Sequence, residues 1–303
     1  MRFNLASAAA LAAVGLSACA IAAPSVCPPS PPPPSPPSPP GPVPSPYVPG
    51  KHFDRVFIVI FENMAYKNVT ADPYFAGVAK QGLLLTNYFA VTHPSEPNYV
   101  ALTYGSTANI TDDAKYDIQG KSIVDLLEAK GVSWKSYQEA YPGDCFKGES
   151  SGTYRRKHNP FISFVNVQNN ADLCAKIVNS DQLATDLAAN TVPQYSFYTP
   201  DMNNDGHDTN TTYASKWLQG FLPKLTTNKQ LMENTAVVLT FDEDDYNGTN
   251  QVYTAVLGKG VKAGSTDGNK YDHYSLLRTI EDNFELGNLG RNDANATLIS
   301  SFI

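Results

Sequence analysis

Two short apolar runs constrain the fold of this chain more than any other feature of its sequence. They occupy residues 56–61 and 236–241 and read VFIVIF and AVVLTF. Uninterrupted runs rich in β-branched residues are typical of strands that are buried on both faces, as in parallel sheets covered by helices. Strand-like and helix-like segments alternate between them. The sequence therefore predicts an α/β fold with a central, mostly parallel sheet and helices on both faces.

Hydrophobic periodicity and turn residues predict the individual elements. The predicted strands are 55–61, 83–90, 133–138, 194–199, 235–241 and 253–258. The predicted helices are 73–81, 122–130, 181–189, 213–222 and 275–283, and another helix opens near 99–104. Residues 142–170 are polar and rich in turn formers, which indicates a long excursion from the sheet.

The amino terminus has a different composition from the rest of the 303-residue chain. Residues 1–22 are predicted to be a secretory signal peptide, because Arg2 precedes an apolar stretch that contains Ala18-Cys19-Ala20, a small-residue cleavage pattern. A membrane anchor is the alternative, although the stretch barely reaches the ~20 residues that span a bilayer. Residues 23–50 are mostly proline and serine and predict an extended linker. Residues 51–303 are expected to form one catalytic domain.

The cysteines and glycosylation signals also favour an extracellular protein. Of four cysteines, Cys19 is expected to leave with the signal peptide. Cys145 and Cys174 lie in the same segment and are predicted to form a disulfide, which leaves Cys27 in the linker. Five asparagines begin Asn-x-Ser/Thr signals. They are Asn68, Asn109, Asn210, Asn247 and Asn295. We expect a secreted glycoprotein, with cell-wall association through the linker as one use of that segment.

The charge balance restricts the class of partner. The chain carries 22 Lys and Arg against 29 Asp and Glu, which gives a net charge of −7. An acidic surface argues against nucleic acid or an anionic membrane as the main partner. A small phosphate ester held by a metal and histidines is compatible with this balance.

Oxygen-bearing side chains follow both apolar runs. Glu62-Asn63 comes directly after the first run, and Asp242-Glu243 comes directly after the second. Ligands of open α/β sheets gather at the carboxyl ends of strands, and such oxygens suit divalent cations. The alternative, for either pair alone, is a strand-end cap. Together the pairs predict a metal site of Glu62, Asn63, Asp242 and Glu243.

Ser95 is the candidate nucleophile. It lies in the segment Thr-His-Pro-Ser-Glu-Pro-Asn, where Pro94 and Pro97 restrict the backbone and Asn98 can donate a hydrogen bond to a phosphoryl oxygen. A serine hydroxyl needs a base or a metal to become nucleophilic. The alternative is an ordinary proline-rich turn.

The segment that begins at Asp201 is the third candidate. It starts like a calcium loop, but Thr212 stands where a bidentate glutamate is needed. Asp201, Asp205 and His207 could bind a second metal or phosphate, and a solvated acidic loop is the alternative.

Three of the five histidines are placed for chemistry. His93, His207 and His273 could offset phosphate charge or protonate a leaving group at acidic pH. His158 follows Arg155-Arg156-Lys157, a basic cluster that is expected to be solvated, with contact to phosphate as the alternative.

Taken together, these motifs resemble the secreted phosphoesterase family of fungal acid phosphatases and bacterial phospholipases C, within the alkaline phosphatase superfamily. The resemblance covers about residues 53–303. It implies one divalent metal on Glu62, Asn63, Asp242 and Glu243, with Ser95 as nucleophile. The six-residue spacing from Asp201 to His207 differs from that of two-metal relatives, so His207 and His273 are expected to bind phosphate directly.

These observations predict a metal-dependent phosphoric ester hydrolase, most specifically an acid phosphatase that cleaves phosphate monoesters through a phosphoserine. Two alternatives stay open at this point. One is a phospholipase C that cleaves lipid phosphodiesters. The other is a non-catalytic cell-wall glycoprotein.

Overall fold

A computed structural model describes residues 47–303, and an eight-stranded sheet forms its centre. The strands, in chain order, are β1 (Arg55–Phe61), β2 (Leu83–Leu85), β3 (Tyr88–Phe89), β4 (Trp134–Gln138), β5 (Ser150–Ser151), β6 (Tyr154–Arg155), β7 (Ile177–Asn179), β8 (Tyr195–Thr199), β9 (Thr235–Phe241), β10 (Thr254–Gly258), β11 (Ser265–Asp267) and β12 (Tyr271–Asp272). The order in the main sheet is β11-β2-β10-β9-β1-β8-β4-β7.

Only β10 runs against the other strands of this sheet. It pairs antiparallel with β9 and β2, whereas β1 pairs parallel with β8 and β9. Every residue of β9 is buried, and only Arg55 of β1 is less than fully buried. The predicted mostly parallel sheet is therefore confirmed.

Within residues 47–303, ten α-helices connect and cover the strands. They are α1 (Tyr66–Ala71), α2 (Pro73–Gln81), α3 (Ser95–Tyr104), α4 (Ile123–Lys130), α5 (Val165–Gln168), α6 (Ala171–Cys174), α7 (Gln182–Ala189), α8 (Thr211–Thr226), α9 (Lys229–Met232) and α10 (His273–Asn283). Short 3-10 helices occupy Arg156–His158, Pro160–Ser163, Asn292–Asn295 and Ser300–Phe302.

Two of the predicted elements differ from the structure in ways that affect the site. The single strand predicted over 83–90 is divided, since β2 belongs to the main sheet while β3 pairs with β12 in a second, two-stranded sheet. The helix expected to open near residue 99 instead begins at Ser95, directly after Pro94. The candidate nucleophile therefore lies in the first turn of a buried helix.

The folded part begins slightly before residue 51. Val48 donates its backbone N–H to Gln194 Oε1 at 3.1 Å and accepts a hydrogen bond from Gln194 Nε2. The predicted signal peptide, Cys27 and most of the predicted linker lie outside the described residues. Among the helices of residues 47–303, none has the length and apolar character needed to cross a membrane.

The excursion between β4 and β7 is cross-linked by the predicted disulfide. Cys145 and Cys174 are joined, with their Cα atoms 5.6 Å apart. The excursion contains β5, β6 and the 3-10 helix Arg156–His158, and its backbone returns to the sheet at β7. The five asparagines of the glycosylation signals are all exposed, so glycosylation remains a prediction that the structure permits.

Candidate active site

The carboxyl ends of β1 and β9 lie side by side. Phe61 is paired with Phe241, and the N–H of Asp242 donates to the carbonyl of Phe61 at 3.0 Å. Glu62 and Asp242 consequently leave the sheet at the same edge, and both are fully buried. Asn63 follows with its N–H 3.3 Å from Asp242 Oδ1. The two predicted pairs of oxygen ligands are brought together.

A buried trio of possible metal ligands forms beside this edge. Glu62, His158 and Asp205 each offer an atom within 4.8 Å of the others. Glu62 Oε1 lies 3.3 Å from His158 Nε2, and Asp205 Oδ2 lies 3.4 Å from His158 Nδ1. The backbone fixes the trio, because the N–H of Glu62 donates to the carbonyl of Asp205 at 3.0 Å.

Burial perturbs the charges of this cluster strongly. Burial raises the pKa of Glu62 well above its usual range, and the neighbouring Asp242 and Asp205 carboxylates add to the effect. Burial likewise raises the pKa of Asp242 to about 6 and that of Glu243 to about 9. Burial lowers the pKa of His158, and Lys157 lowers it further. The protein alone therefore disfavours the fully ionised carboxylates at this edge.

Four buried polar atoms of the cluster have no hydrogen-bond partner among the described residues. They are Asn63 Oδ1, His158 Nε2, Asp205 Oδ2 and Asp242 Oδ2. Buried polar groups are normally paired, so an unpaired set in one place requires an explanation. Carboxylate, amide and imidazole donors converge here, which is the chemistry of a divalent metal site. The residues present fit a bound cation.

Ser95 lies against this cluster. Its side chain is buried, and its Oγ lies 3.0 Å from Glu62 Oε2 and 3.3 Å from Glu243 Oε1. The second oxygen of Glu243 is 2.5 Å from His93 Nδ1. The carboxylate of Glu243 thus connects the imidazole of His93 to the hydroxyl of Ser95.

Asn98 does not have the role expected from the sequence. Its Oδ1 accepts from the N–H groups of Val91 and Thr92 at 3.0 and 3.2 Å. Its Nδ2 donates to the carbonyls of Thr92 and Pro94 at 2.8 and 3.0 Å. All of its donors and acceptors are used on the loop before Ser95. Asn98 therefore holds the nucleophile loop in place and has no free donor for a phosphoryl oxygen.

His273 also differs from its predicted role. The residue is fully buried at the first position of α10, and its Nε2 donates to the carbonyl of Asp242 at 2.6 Å. The hydroxyl of Tyr88 is 3.3 Å from Nδ1, and burial lowers the pKa of His273 to about 4. Because both ring nitrogens are engaged, His273 supports the backbone at Asp242 instead of contacting phosphate.

The predicted ligands in the loop after β8 do not all lie at the same site. Asp201 closes a turn, since its Oδ1 accepts from the N–H groups of Asn203 and Asn204 and its Oδ2 accepts from Thr153. Asp205 instead joins the trio with Glu62. His207 is partly exposed, with its Nδ1 2.8 Å from Asp208. The loop therefore supplies one carboxylate to the cluster, and Asp201 is occupied elsewhere.

Two residues of the site, His158 and Lys157, were not predicted from the sequence to belong to it. His158 was expected to be solvated, yet it is 2% exposed, and the ring of Tyr99 stacks on it at 5.2 Å. Tyr99 also donates to Glu62 Oε1 at 2.5 Å. For Tyr99 the sequence did contain a signal. Tyr99 lies one helical turn after Ser95, so in a helix the two side chains lie on the same face.

Lys157 is the cation nearest to the cluster. Its Nζ is 2.8 Å from Asp113 Oδ2 and 3.3 Å from His207 Nε2. Burial alone would lower the pKa of Lys157, but Glu62 and Asp113 outweigh burial and raise it. The site therefore has a permanent positive charge beside its buried carboxylates.

The chain is similar in sequence to known phosphoesterases. The model of the phosphoesterase family matches residues 47–287. A probable acid phosphatase of Kluyveromyces lactis is 42% identical over 265 residues, which is 83% of this chain and 63% of that protein. A phosphatidylinositol-3-phosphatase of Mycobacterium tuberculosis is 31% identical and covers 78% of this chain and 79% of its own length.

Solved structures show the same fold. A protein in the alkaline phosphatase superfamily from Vibrio parahaemolyticus superposes with a TM-score of 0.57 at 13% identity, over 80% of this chain and 70% of that one. The chain spans between 59% and 64% of the length of the fungal relatives that it matches.

Proposed function

The chain belongs to the phosphoesterase family, and from this membership we propose that it is a metal-dependent phosphoric ester hydrolase, most specifically an acid phosphatase. One observation carries the proposal. Ser95 Oγ lies between Glu62 and Glu243, 3.0 and 3.3 Å away, beside four buried ligand atoms that have no partner among the described residues. Relatives named as acid phosphatases support the choice of a phosphate monoester as substrate.

The residues that would hold the metal are those of the buried cluster. They are Glu62, Asn63, His158, Asp205 and Asp242. When bound, a divalent cation supplies positive charge that stabilises an alkoxide and polarises a phosphoryl group. Its identity stays open, and the structure gives no support for a second site at Asp201, whose carboxylate is used in a turn.

Individual side chains have separate roles in the reaction. Ser95 attacks phosphorus in line with the leaving alcohol and forms a phosphoserine. Glu243, predicted as a metal ligand, instead positions the hydroxyl of Ser95 through Oε1 at 3.3 Å, while His93 orients its other oxygen. His207 is partly exposed beside Lys157 and is assigned the protonation of the leaving alcohol. Water then hydrolyses the phosphoserine and restores the hydroxyl of Ser95.

Lys157 extends the positive charge around the transferred group. Its ammonium lies 3.3 Å from His207 and is kept cationic by Glu62 and Asp113. A fixed cation that faces the developing charge of a phosphoryl group favours the transition state. The same charge attracts an anionic ester to an otherwise acidic protein.

The cellular setting follows from residues remote from the site. The predicted signal peptide, the Cys145–Cys174 disulfide and five exposed glycosylation signals support secretion of the protein as a glycoprotein. Association with a cell wall through the proline-rich linker is part of this proposal.

The test is hydrolysis of p-nitrophenyl phosphate between pH 4 and 8, with and without a chelator. Wild type should be active and chelator-sensitive, and Ser95→Ala should abolish turnover because no other hydroxyl occupies this position. Thr103→Val is the matched control, since it removes a hydroxyl from the same helix that bonds only to backbone carbonyls. Substantial turnover by Ser95→Ala would refute the assignment of the nucleophile. Hydrolysis of phosphatidylcholine in place of the monoester would favour the phospholipase C alternative.

A further inference from the structure

A cavity of about 220 Å³ lies directly beside the active site. Four of its lining side chains are basic, and they come from two segments that are remote in the sequence. They are Lys115, Arg155, Arg156 and Lys157. Lys157 also lies beside the transferred group, whereas Lys115, Arg155 and Arg156 have no role in the reaction proposed above.

The cavity shares a wall with the catalytic groups. Asp113 lines it and accepts a hydrogen bond from the N–H of Glu96, the residue that follows Ser95, at 2.9 Å. The other oxygen of Asp113 accepts from Lys157 at 2.8 Å, and the same ammonium lies 3.3 Å from His207. Lys157 therefore stands between the cavity and the place where the leaving alcohol departs.

The lining of the cavity has an excess of positive charge, although the chain as a whole carries −7. Three carboxyl groups face the four cations. They belong to Glu96, Asp113 and Glu149. Asp113 is already paired with Lys157. Glu96 is buried against the hydroxyl of Ser163, and burial raises its pKa to about 8, so it is uncharged at acidic pH.

Two of the cations have unused donors. Arg156 is 2% exposed and its Nη2 is paired with Asp117 at 2.7 Å, but its buried Nε has no hydrogen-bond partner among the described residues. Lys115 is exposed at the rim, and its ammonium makes no hydrogen bond to residues 47–303. Buried donors without partners are uncommon in folded proteins, and guanidinium and ammonium groups are preferred partners of phosphate oxygens.

We propose that this cavity is a subsite for a second anionic group, a phosphate in the first instance, carried by the alcohol that leaves from the ester at Ser95. The preferred substrates are then phosphate monoesters of alcohols that bear another phosphate. This inference rests on the proposed function and specifies its substrate class. Lys115 acts as a specificity-determining residue in it, because it contacts the part of the substrate that does not react.

The experiment compares two pairs of matched substrates. Propane-1,3-diyl bisphosphate is compared with 3-hydroxypropyl phosphate, and pentane-1,5-diyl bisphosphate with 5-hydroxypentyl phosphate, by release of inorganic phosphate at pH 5. Wild type should have a kcat/KM for at least one bisphosphate that exceeds that of its monophosphate by clearly more than about twofold, the factor that two equivalent phosphates supply without a subsite. Lys115→Gln should lower that kcat/KM about tenfold, the loss expected for one charge-assisted hydrogen bond, mainly through KM. It should leave the monophosphates within about twofold.

Lys262→Gln is the control, because it removes an exposed lysine that does not line the cavity. Lys262→Gln should leave kcat/KM unchanged for bisphosphates and monophosphates. Because it changes the net charge by the same amount as Lys115→Gln, it shows whether the effect of Lys115→Gln comes from a local contact. In wild type, a kcat/KM for both bisphosphates no more than about twofold above that of their monophosphates would overturn the subsite while leaving the proposed function intact. An equal loss on both classes in Lys115→Gln would overturn it as well. No turnover of any of the four esters would reject the proposed function, and the subsite with it.

Discussion

Asn98 controls the position of Ser95 without contacting substrate. Four hydrogen bonds join its amide to the backbone of Val91, Thr92 and Pro94. A side chain that satisfies two N–H groups and two carbonyls in a buried loop replaces the missing secondary structure there. The hydroxyl of Ser95 is therefore placed by a residue three positions further along the chain.

We expect Asn98→Ala to lower the free energy of unfolding by about 3 kcal/mol, because buried backbone groups lose their partners. Urea denaturation measures this change. Asn98→Asp keeps the two acceptor contacts but places a carboxylate oxygen against the carbonyls of Thr92 and Pro94, so its loss should be at least as large. A phosphate ligand with no structural role would instead leave stability unchanged and raise KM alone.

His158 provides a test of the buried cluster that does not depend on turnover. His158→Gln keeps a polar side chain but removes the imidazole that lies between Glu62 and Asp205. We expect the affinity for divalent metal to fall at least about tenfold, measured by metal content after dialysis at known free-metal concentrations. His52→Gln is the control, since this exposed histidine lies outside the cluster. Unchanged metal content in His158→Gln would remove His158 from the ligand set.

Part of the site could be predicted because it depends on strand ends. Glu62 and Asp242 follow apolar runs, and parallel pairing of those runs necessarily brings the two residues to one edge. His158 could not be predicted in this way, because it lies on a short 3-10 helix inside an irregular excursion. Its burial depends on tertiary contacts that leave no periodic pattern in the sequence.

Helix α10 contains a buried acid that should make stability depend on pH. Neither oxygen of Glu281 has a hydrogen-bond partner among the described residues. Burial, reinforced by Asp293, raises the pKa of Glu281 from a usual value of 4.5 to about 8, and Arg278 opposes the shift. A carboxyl whose pKa is raised by folding stabilises the protein below its unfolded pKa, and this contribution is lost as pH rises through the folded value.

We expect wild type to lose about 2 to 3 kcal/mol of stability from this group between pH 5 and 9, and Glu281→Gln to lose none of it. Urea denaturation of both proteins at pH 5, 7 and 9 gives the difference, in which effects of the metal cluster cancel. Glu285→Gln changes an exposed residue and should follow wild type. Parallel curves for wild type and Glu281→Gln would contradict the assignment.

Among the helices and strands, the length of an element determined whether it could be predicted from the sequence. The long apolar strands β1 and β9 were predicted with their observed bounds, and α2 also agrees with the structure. Strands β7, β11 and β12 contain two or three residues each and were missed, because so few residues carry no recognisable alternation. They form only through pairing with strands that are already present.

Metal binding should raise the melting temperature of the whole protein. A ligand that binds only the folded state stabilises it by about 2.7 kcal/mol at a concentration of 100 Kd. For a domain of this size we expect a rise in Tm of about 5–10 °C when a binding divalent cation is added to chelated protein. Differential scanning calorimetry measures it, and Asp205→Asn should show a reduced rise. No rise with any of Mg²⁺, Ca²⁺, Mn²⁺, Zn²⁺ or Fe²⁺ would argue that the cluster binds no metal.

The disulfide has a consequence for where the enzyme can become complete. Cys145 and Cys174 enclose the segment that delivers both Lys157 and His158 to the site. Such a bond forms and persists in oxidising compartments and is rare where thiols are kept reduced. The covalent constraint on the segment that carries Lys157 and His158 therefore depends on an oxidising environment.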